Sequence, residues 1–191
     1  MLREEWLVQL AERLEVIFSE HDEMAALPKY RVTCGFPSKG ALSNKYRTLG
    51  QCWSDNASAD DTHELIVSMT LDDPMRIAGV LAHEMVHAAV GVQHGHKGPF
   101  RKLALAIGLC GKMTATEESD AFKQRLSPIL AELGDYPHAK LDASNRKKQS
   151  TRLIKTECPR CGYTARVARK WLEVGAPVCP TDHVELEEPG L

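Results

Sequence analysis

Pro74-Met75-Arg76-Ile77-Ala78-Gly79-Val80-Leu81-Ala82-His83-Glu84-Met85-Val86-His87-Ala88-Ala89-Val90-Gly91 is the run on which the reading of this chain turns. Ile77, Val80, Leu81, Met85, Val86, Ala89 and Val90 recur at helical spacing and cover one buried stripe. Asp72 or Asp73 suits the N-cap, Pro74 the first helical position and Gly91 the end. Inside the helix lies an HExxH motif, His83-Glu84-Met85-Val86-His87. Residues at i and i+4 share a helix face, so both imidazoles can address a single ion. Catalytic zinc takes three protein ligands and keeps a fourth position for water. Glu84, next to the first histidine, is placed to take a proton from that water. The pattern implies a zinc-dependent hydrolase, a peptidase before other hydrolases. The bland alternative is two satisfied core histidines and an ion-paired glutamate, which would need no third donor nearby.

Third donors do follow. The metzincin pattern places glycine three residues after the second histidine and a ligand six after; those positions are Val90 and Gln93, so it fails. A glutamate from a later helix would be Glu117 or Glu118, and nothing singles either out. His94 and His96 both lie within a turn of the helix end. His96 is preferred because Gly95-His96-Lys97-Gly98-Pro99-Phe100 leads into a helix, Phe100 to Ile107, that would anchor its loop. His94 stays open as a loop histidine or a helper in the transition state.

Working outward, 191 residues suit one main domain and a small module. A hydrophobic content of 43% is that of an ordinary folded chain, and a net charge of −2 says little until its distribution is seen. No run approaches the length of a membrane span. Met1-Leu2-Arg3-Glu4-Glu5-Trp6 is too acidic for a signal peptide, so a cytoplasmic or nucleoid-associated location is expected, not secretion. The sequence predicts an amphipathic helix over 2–20, strands over 30–36, 48–53 and 64–69, and a helix over 117–133. In a peptidase the third strand could border the cleft and pair with extended substrate; a short apolar strand is more often simply part of a sheet. From 137 to 151 the pattern dissolves into polar and basic residues, read as a linker. Cys34, Cys52 and Cys110 are expected as free thiols.

The tail carries a second metal pattern. Cys158-Pro159-Arg160-Cys161-Gly162 has two thiols two residues apart with a glycine for the bend. Cys179-Pro180-Thr181-Asp182-His183 follows. By spacing, Cys158, Cys161, Cys179 and His183 would close a tetrahedral structural zinc site, although Cys-x3-His departs from the usual pairing. A Cys158–Cys161 redox pair or three incidental thiols are the alternatives. Tyr163 to Leu172 would form the hairpin of a zinc ribbon. Residues 144–170 hold nine Lys or Arg against one acid, a local +8 that leaves about −10 for the rest. Arg146, Lys147, Lys148, Arg152, Lys155, Arg166, Arg169 and Lys170, with Tyr163 and Trp171 interleaved, suit phosphate contact and base stacking. A solvated basic face is the alternative.

Taken together, His83 to His87 and Gly95 to Phe100 resemble the SprT-like family of zinc metallopeptidases, which includes the Spartan proteases. The likeness extends through Gly50-Gln51-Cys52-Trp53, Leu71 to Pro74, Ile107-Gly108-Leu109 and Gly111 to Thr116. It implies an α+β fold: a zincin-like metallopeptidase domain over 1–136, a basic linker over 137–151 and a zinc-ribbon module over 152–191. It assigns a catalytic zinc to His83, His87 and His96 and catalysis to Glu84. Two zinc ions are therefore expected, one catalytic and one structural. The implied substrates are proteins bound or crosslinked to DNA, with DNA met by the basic module. The gap before His96 is shorter than in Spartan, so the loop beside the cleft is expected to differ. The rival is a regulatory nucleic-acid-binding zinc protein without proteolysis, against which the intact Glu84 argues.

Overall fold

A computed structural model describes residues 1–21, 27–43, 45–145 and 152–189. The fold is mixed α+β, with small sheets and five helices among the described residues, in two compact units, Met1–Ala143 and Ser144–Leu191. No helix among the described residues is long and apolar enough to cross a membrane.

The first unit opens with α1, Arg3–Ser19, which buries Trp6, Leu7, Leu10, Leu14, Ile17 and Phe18 along one face. Its sheet has three strands, β1 Tyr30–Gly35, β2 Gly50–Trp53 and β3 His63–Ser68, in the order β1-β3-β2. β3 runs parallel to β1 (Val32 opposite Leu65) and antiparallel to β2 (Cys52 opposite Leu65). Of the two roles the sequence left for the third strand, it takes the plainer one: it lies in the centre of the sheet, with Leu65 and Val67 fully buried, and β1 and β2 take the edges. A central strand sheds exposure on both faces, which is why its apolar run is the densest of the three.

Across the sheet lies α2, Pro74–Val90. Asp73 caps it by accepting the Met75 N–H, Pro74 fills the first position, and Gly91 ends it at φ 90°. α3, Pro99–Ile107, and α4, Asp120–Leu133, complete the core. Between them lies a hairpin, β4 Leu109–Lys112 against β5 Ala115–Glu118, and its second strand takes Glu117 and Glu118, which were expected to begin α4. Ser119 supplies the reason: its hydroxyl accepts the Phe122 N–H, so the helix starts at Asp120. Trp6, Phe18, Leu65, Leu81, Met85, Phe100 and Phe122 fill one continuous core. Each such side chain contributes about 1.5–3 kcal/mol on burial.

The unit continues past residue 136 to Ala143. Trp6 donates its indole N–H to the Gly134 carbonyl at 3.1 Å and packs edge-on against Tyr136, centroids 5.1 Å apart. Arg3 reaches the Ala139 carbonyl at 2.8 Å, and the Leu141 N–H reaches the Met69 carbonyl at 2.8 Å. The polar composition of this segment hid its attachment, which rests on backbone carbonyl and N–H groups and on the one aromatic ring of Tyr136.

The second unit is built on β6, Leu153–Glu157, paired antiparallel with β7, Thr164–Ala168, and closed by a single helical turn, α5 Arg169–Leu172. The hairpin thus brackets the first cysteine pair rather than following it. Its buried apolar set is Cys158, Cys179 and Leu186. So small a core needs a further constraint to hold its fold.

Candidate functional site

His83, Glu84 and His87 sit mid-helix on α2, and His96 arrives from the loop between Gly95 and Gly98. The Nε2 atoms of His83 and His96 lie 3.1 Å apart, and those of His87 and His96 3.2 Å apart. His94 is exposed and stays outside the group that forms. Phe100, fully buried at the start of α3, underlies all three rings, with centroids 4.8 Å from His83, 4.3 Å from His87 and 4.9 Å from His96. The sequence marked Phe100 only as part of a loop context. Its position at the start of a helix that begins at Pro99 is what makes it the floor of the site.

The donor spacing fits a metal ion. Three ligand atoms at 2.0–2.1 Å from one ion at tetrahedral angles stand about 3.3 Å from one another. The observed spacings match that within a few tenths of an ångström. Burial, then the neighbouring histidines and Arg76, lowers the His83 pKa to about 3. Burial, then His96, lowers that of His87 to about 4, and burial lowers that of His96. All three rings therefore present neutral lone pairs toward a common point at ordinary pH, an arrangement suited to a cation. His83, His87 and His96 could hold a metal ion.

Glu84 is 6% exposed and lines a cavity of about 660 Å³ together with the three histidines. Burial raises its pKa to about 8, opposed by the Cys52 backbone N–H that the carboxylate accepts. The carboxylate lies beneath β2: an added Cβ at Gly50 would stand 2.5 Å from Glu84 Oε1 and 2.7 Å from Val80 Cγ1. Gly50, Gln51 and Cys52 form one wall of the cavity, and Ala115 and Thr116 line it from β5. Thr116 Oγ1 is 2.8 Å from His83 Nδ1, a contact that no motif announced. His87 Nδ1 is buried with no hydrogen-bond partner among the described residues. Of the glutamates left open, Glu118 pairs with Arg76 at 2.7 Å, and neither it nor Glu117 joins the group.

The second group differs from the sequence expectation in its fourth member. Cys158, Cys161, Cys179 and Asp182 bring their ligand atoms together and could hold a metal ion; His183 is exposed and outside the set. Asp182 Oδ2 accepts from Cys158 Sγ at 3.3 Å and from Cys179 Sγ at 3.6 Å, and Cys161 and Cys179 Sγ are 3.5 Å apart. The reason is a repeated turn. In Cys158 to Tyr163 the Gly162 N–H reaches the Cys158 carbonyl at 3.1 Å, and the Cys158 N–H reaches the Tyr163 carbonyl at 2.8 Å. In Cys179 to Val184 the His183 N–H reaches the Cys179 carbonyl at 3.0 Å, and the Cys179 N–H reaches the Val184 carbonyl at 2.8 Å. Asp182 thus stands where Cys161 stands, and His183 stands where Gly162 does. Both of the latter take positive φ, 54° for His183 and 76° for Gly162, which turns the histidine ring away. The signal was legible as Cys-Pro-Arg-Cys-Gly-Tyr repeated as Cys-Pro-Thr-Asp-His-Val.

Of the basic residues, Arg146, Lys147 and Lys148 lie outside the described residues. Lys155 and Arg166 stand directly opposite each other across β6 and β7, with Lys155 also 2.6 Å from Glu157. Arg169 is held by Glu188 through two contacts of 3.0 Å. Lys170 lies 4.9 Å over the Trp171 ring, and Arg152 is exposed before β6. Tyr163 and Trp171 are both exposed. The chain matches no protein-family model, no curated protein and no solved structure.

Proposed function

We propose that this protein is a zinc-dependent metallopeptidase with a zincin-like, SprT-like catalytic unit. One observation carries the proposal: three neutral imidazole nitrogens converge at 3.1–3.2 Å in a cleft whose lining carboxylate, Glu84, is buried. A zinc ion held by His83, His87 and His96 would supply Lewis acidity toward a peptide carbonyl and acidify water. Glu84 takes the proton of the attacking water and returns it to the leaving amine. Burial alone favours its neutral form, and the charge of a cation on the three histidines would favour the ionised, proton-accepting form. Phe100 keeps the three rings in register, and the Cys52 N–H aims the carboxylate. The outer edge of β2 along the cleft offers an extended peptide backbone a strand to pair with.

The zinc of the second unit is proposed as structural, and the basic, aromatic surface of that unit as a contact for DNA. Arg166 favours this, since it carries no ion pair among the described residues while Lys155 opposite it already meets Glu157. Bringing the peptidase to DNA-bound protein would raise local substrate concentration without touching the chemistry. The test is cleavage of a DNA-binding protein, with and without DNA and chelator, by wild type and Glu84→Gln. The expected result is cleavage by wild type, abolished by chelator, and a loss of roughly 100-fold or more in the variant at unchanged zinc content. Equal cutting by Glu84→Gln removes the assigned base.

A further inference from the structure

His83 and His87 belong to one motif, yet the fold treats their outward nitrogens differently. His87 Nδ1 is buried with no partner among the described residues. His83 Nδ1 meets Thr116 Oγ1 at 2.8 Å, and Thr116 is 2% exposed. Thr116 is itself fixed: its carbonyl accepts Arg76 Nη1 at 2.8 Å, and the same guanidinium nitrogen is 2.7 Å from Glu118 Oε1. Glu118 reaches that position because α2 carries a glycine beneath it. A Cβ at Gly79 would fall 1.7 Å from Glu118 Oε1 and 2.5 Å from Glu118 Cδ. A helix interior disfavours glycine, so its presence one helical turn before His83 is offset by what it admits.

We infer that Thr116 is a positioning residue for His83, held in place by an Arg76–Glu118 clamp seated in the notch at Gly79. With an ion on Nε2, the His83 ring must carry its proton on Nδ1, and the Thr116 hydroxyl oxygen accepts it. The ring is thereby oriented before the ion arrives, and its Nε2 lone pair is strengthened as a ligand. His96 and His87 have no such device among the described hydrogen bonds. The inference rests on the metal-binding part of the peptidase proposal and not on proteolysis.

Zinc binding to the full-length chain tests it. Loading of the histidine site is followed on the imidazole resonances under chelator-buffered zinc, a readout the cysteine group does not move. Thr116→Val, nearly isosteric and lacking the acceptor, should weaken zinc at this site by roughly 10–100-fold. Thr116→Ser, which keeps the hydroxyl, should stay within about threefold of wild type by the same reasoning. In zinc-loaded wild type the His83 Nδ1–H proton should resonate downfield and exchange slowly. The signal should persist in the serine variant and vanish in the valine one. Gly79→Ala should weaken zinc even though alanine favours the helix, because Glu118 must leave its seat. Wild-type affinity and an unchanged His83 proton in Thr116→Val would overturn the inference. Intact zinc dependence on Thr116 in a protein that cuts nothing would instead sink the peptidase proposal and leave this one standing.

Discussion

Glu84→Gln has a consequence for stability that is opposite in sign to its consequence for catalysis. The carboxyl titrates near 4.5 in an unfolded chain and at about 8 in the fold, because burial penalises its charged form. A raised folded-state value means the folded protein binds the extra proton between those limits. The stability it contributes is whole below pH 4.5 and is lost as pH rises toward 8. Each tenfold difference in proton affinity between fold and unfolded chain is worth about 1.36 kcal/mol. At about pH 7.5 the buried carboxylate therefore costs the metal-stripped protein about 4 kcal/mol relative to acid conditions. Glutamine keeps the acceptor for the Cys52 N–H and never ionises. The metal-stripped variant should therefore be about as stable as wild type at about pH 5, and melt about 10 °C higher at about pH 7.5, at roughly 3 °C per kcal/mol for a unit of this size. His83 and His87 work the other way, since their lowered values withdraw stability as pH falls below 6.5. They are common to both proteins and cancel in the difference. Differential scanning calorimetry on both chains from about pH 5 to 8, with chelator and with zinc, measures it. Zinc should shrink the gap, because a nearby cation stabilises the carboxylate. A melting difference that stays flat across this pH range would refute the burial argument for Glu84.

Three further outcomes follow from the geometry. Asp182→Ala should lose the second metal ion while His183→Ala retains it, and in cobalt-substituted protein Asp182→Cys should intensify the thiolate charge-transfer band; retention by Asp182→Ala with loss by His183→Ala would restore the spacing-based ligand. Gly50→Ala should reduce cleavage at least tenfold at full zinc occupancy, since the new methyl meets Glu84 and Val80, and should cost about 1–3 kcal/mol of stability. Arg166→Gln should lower the slope of log DNA affinity against log salt by about one, with smaller effects from Lys155→Gln and Arg169→Gln because Glu157 and Glu188 already neutralise them. Fluorescence anisotropy of labelled single-stranded DNA between about 50 and 200 mM salt reads this out, and affinity indifferent to salt argues against phosphate contact.

The histidine-bearing helix α2 was readable almost residue for residue, because Asp73, Pro74 and Gly91 mark its ends by local chemistry and its apolar stripe has one period. The convergence of His96 was readable for the same reason: nine residues and a glycine turn leave a short loop few places to go. Nothing local reveals that β1 and β3 run parallel, since that pairing joins segments about thirty residues apart and is decided by packing under α1 and α2. Thr116 was invisible as a site residue and Glu118 was considered only as a metal ligand, because nothing in a short strand announces their shared partner Arg76 some forty positions upstream. Asp182 was missed for a different cause. Histidine is the commoner metal donor, and residue identity was weighed above the repeat of backbone turns that sets which side chain faces inward.

The clasp between Trp6, Gly134 and Tyr136, with Arg3 on the Ala139 carbonyl, brings the entry and exit of the first unit side by side. A unit whose two portals adjoin can be spliced into a surface loop of a host protein with little distortion of either. It can also be recut, its old portals bridged by a few residues and new ones opened between β1 and β2, without disturbing the histidine helix. Transplanting residues 1–143 in this way offers a route to siting the cleft beside a chosen polypeptide.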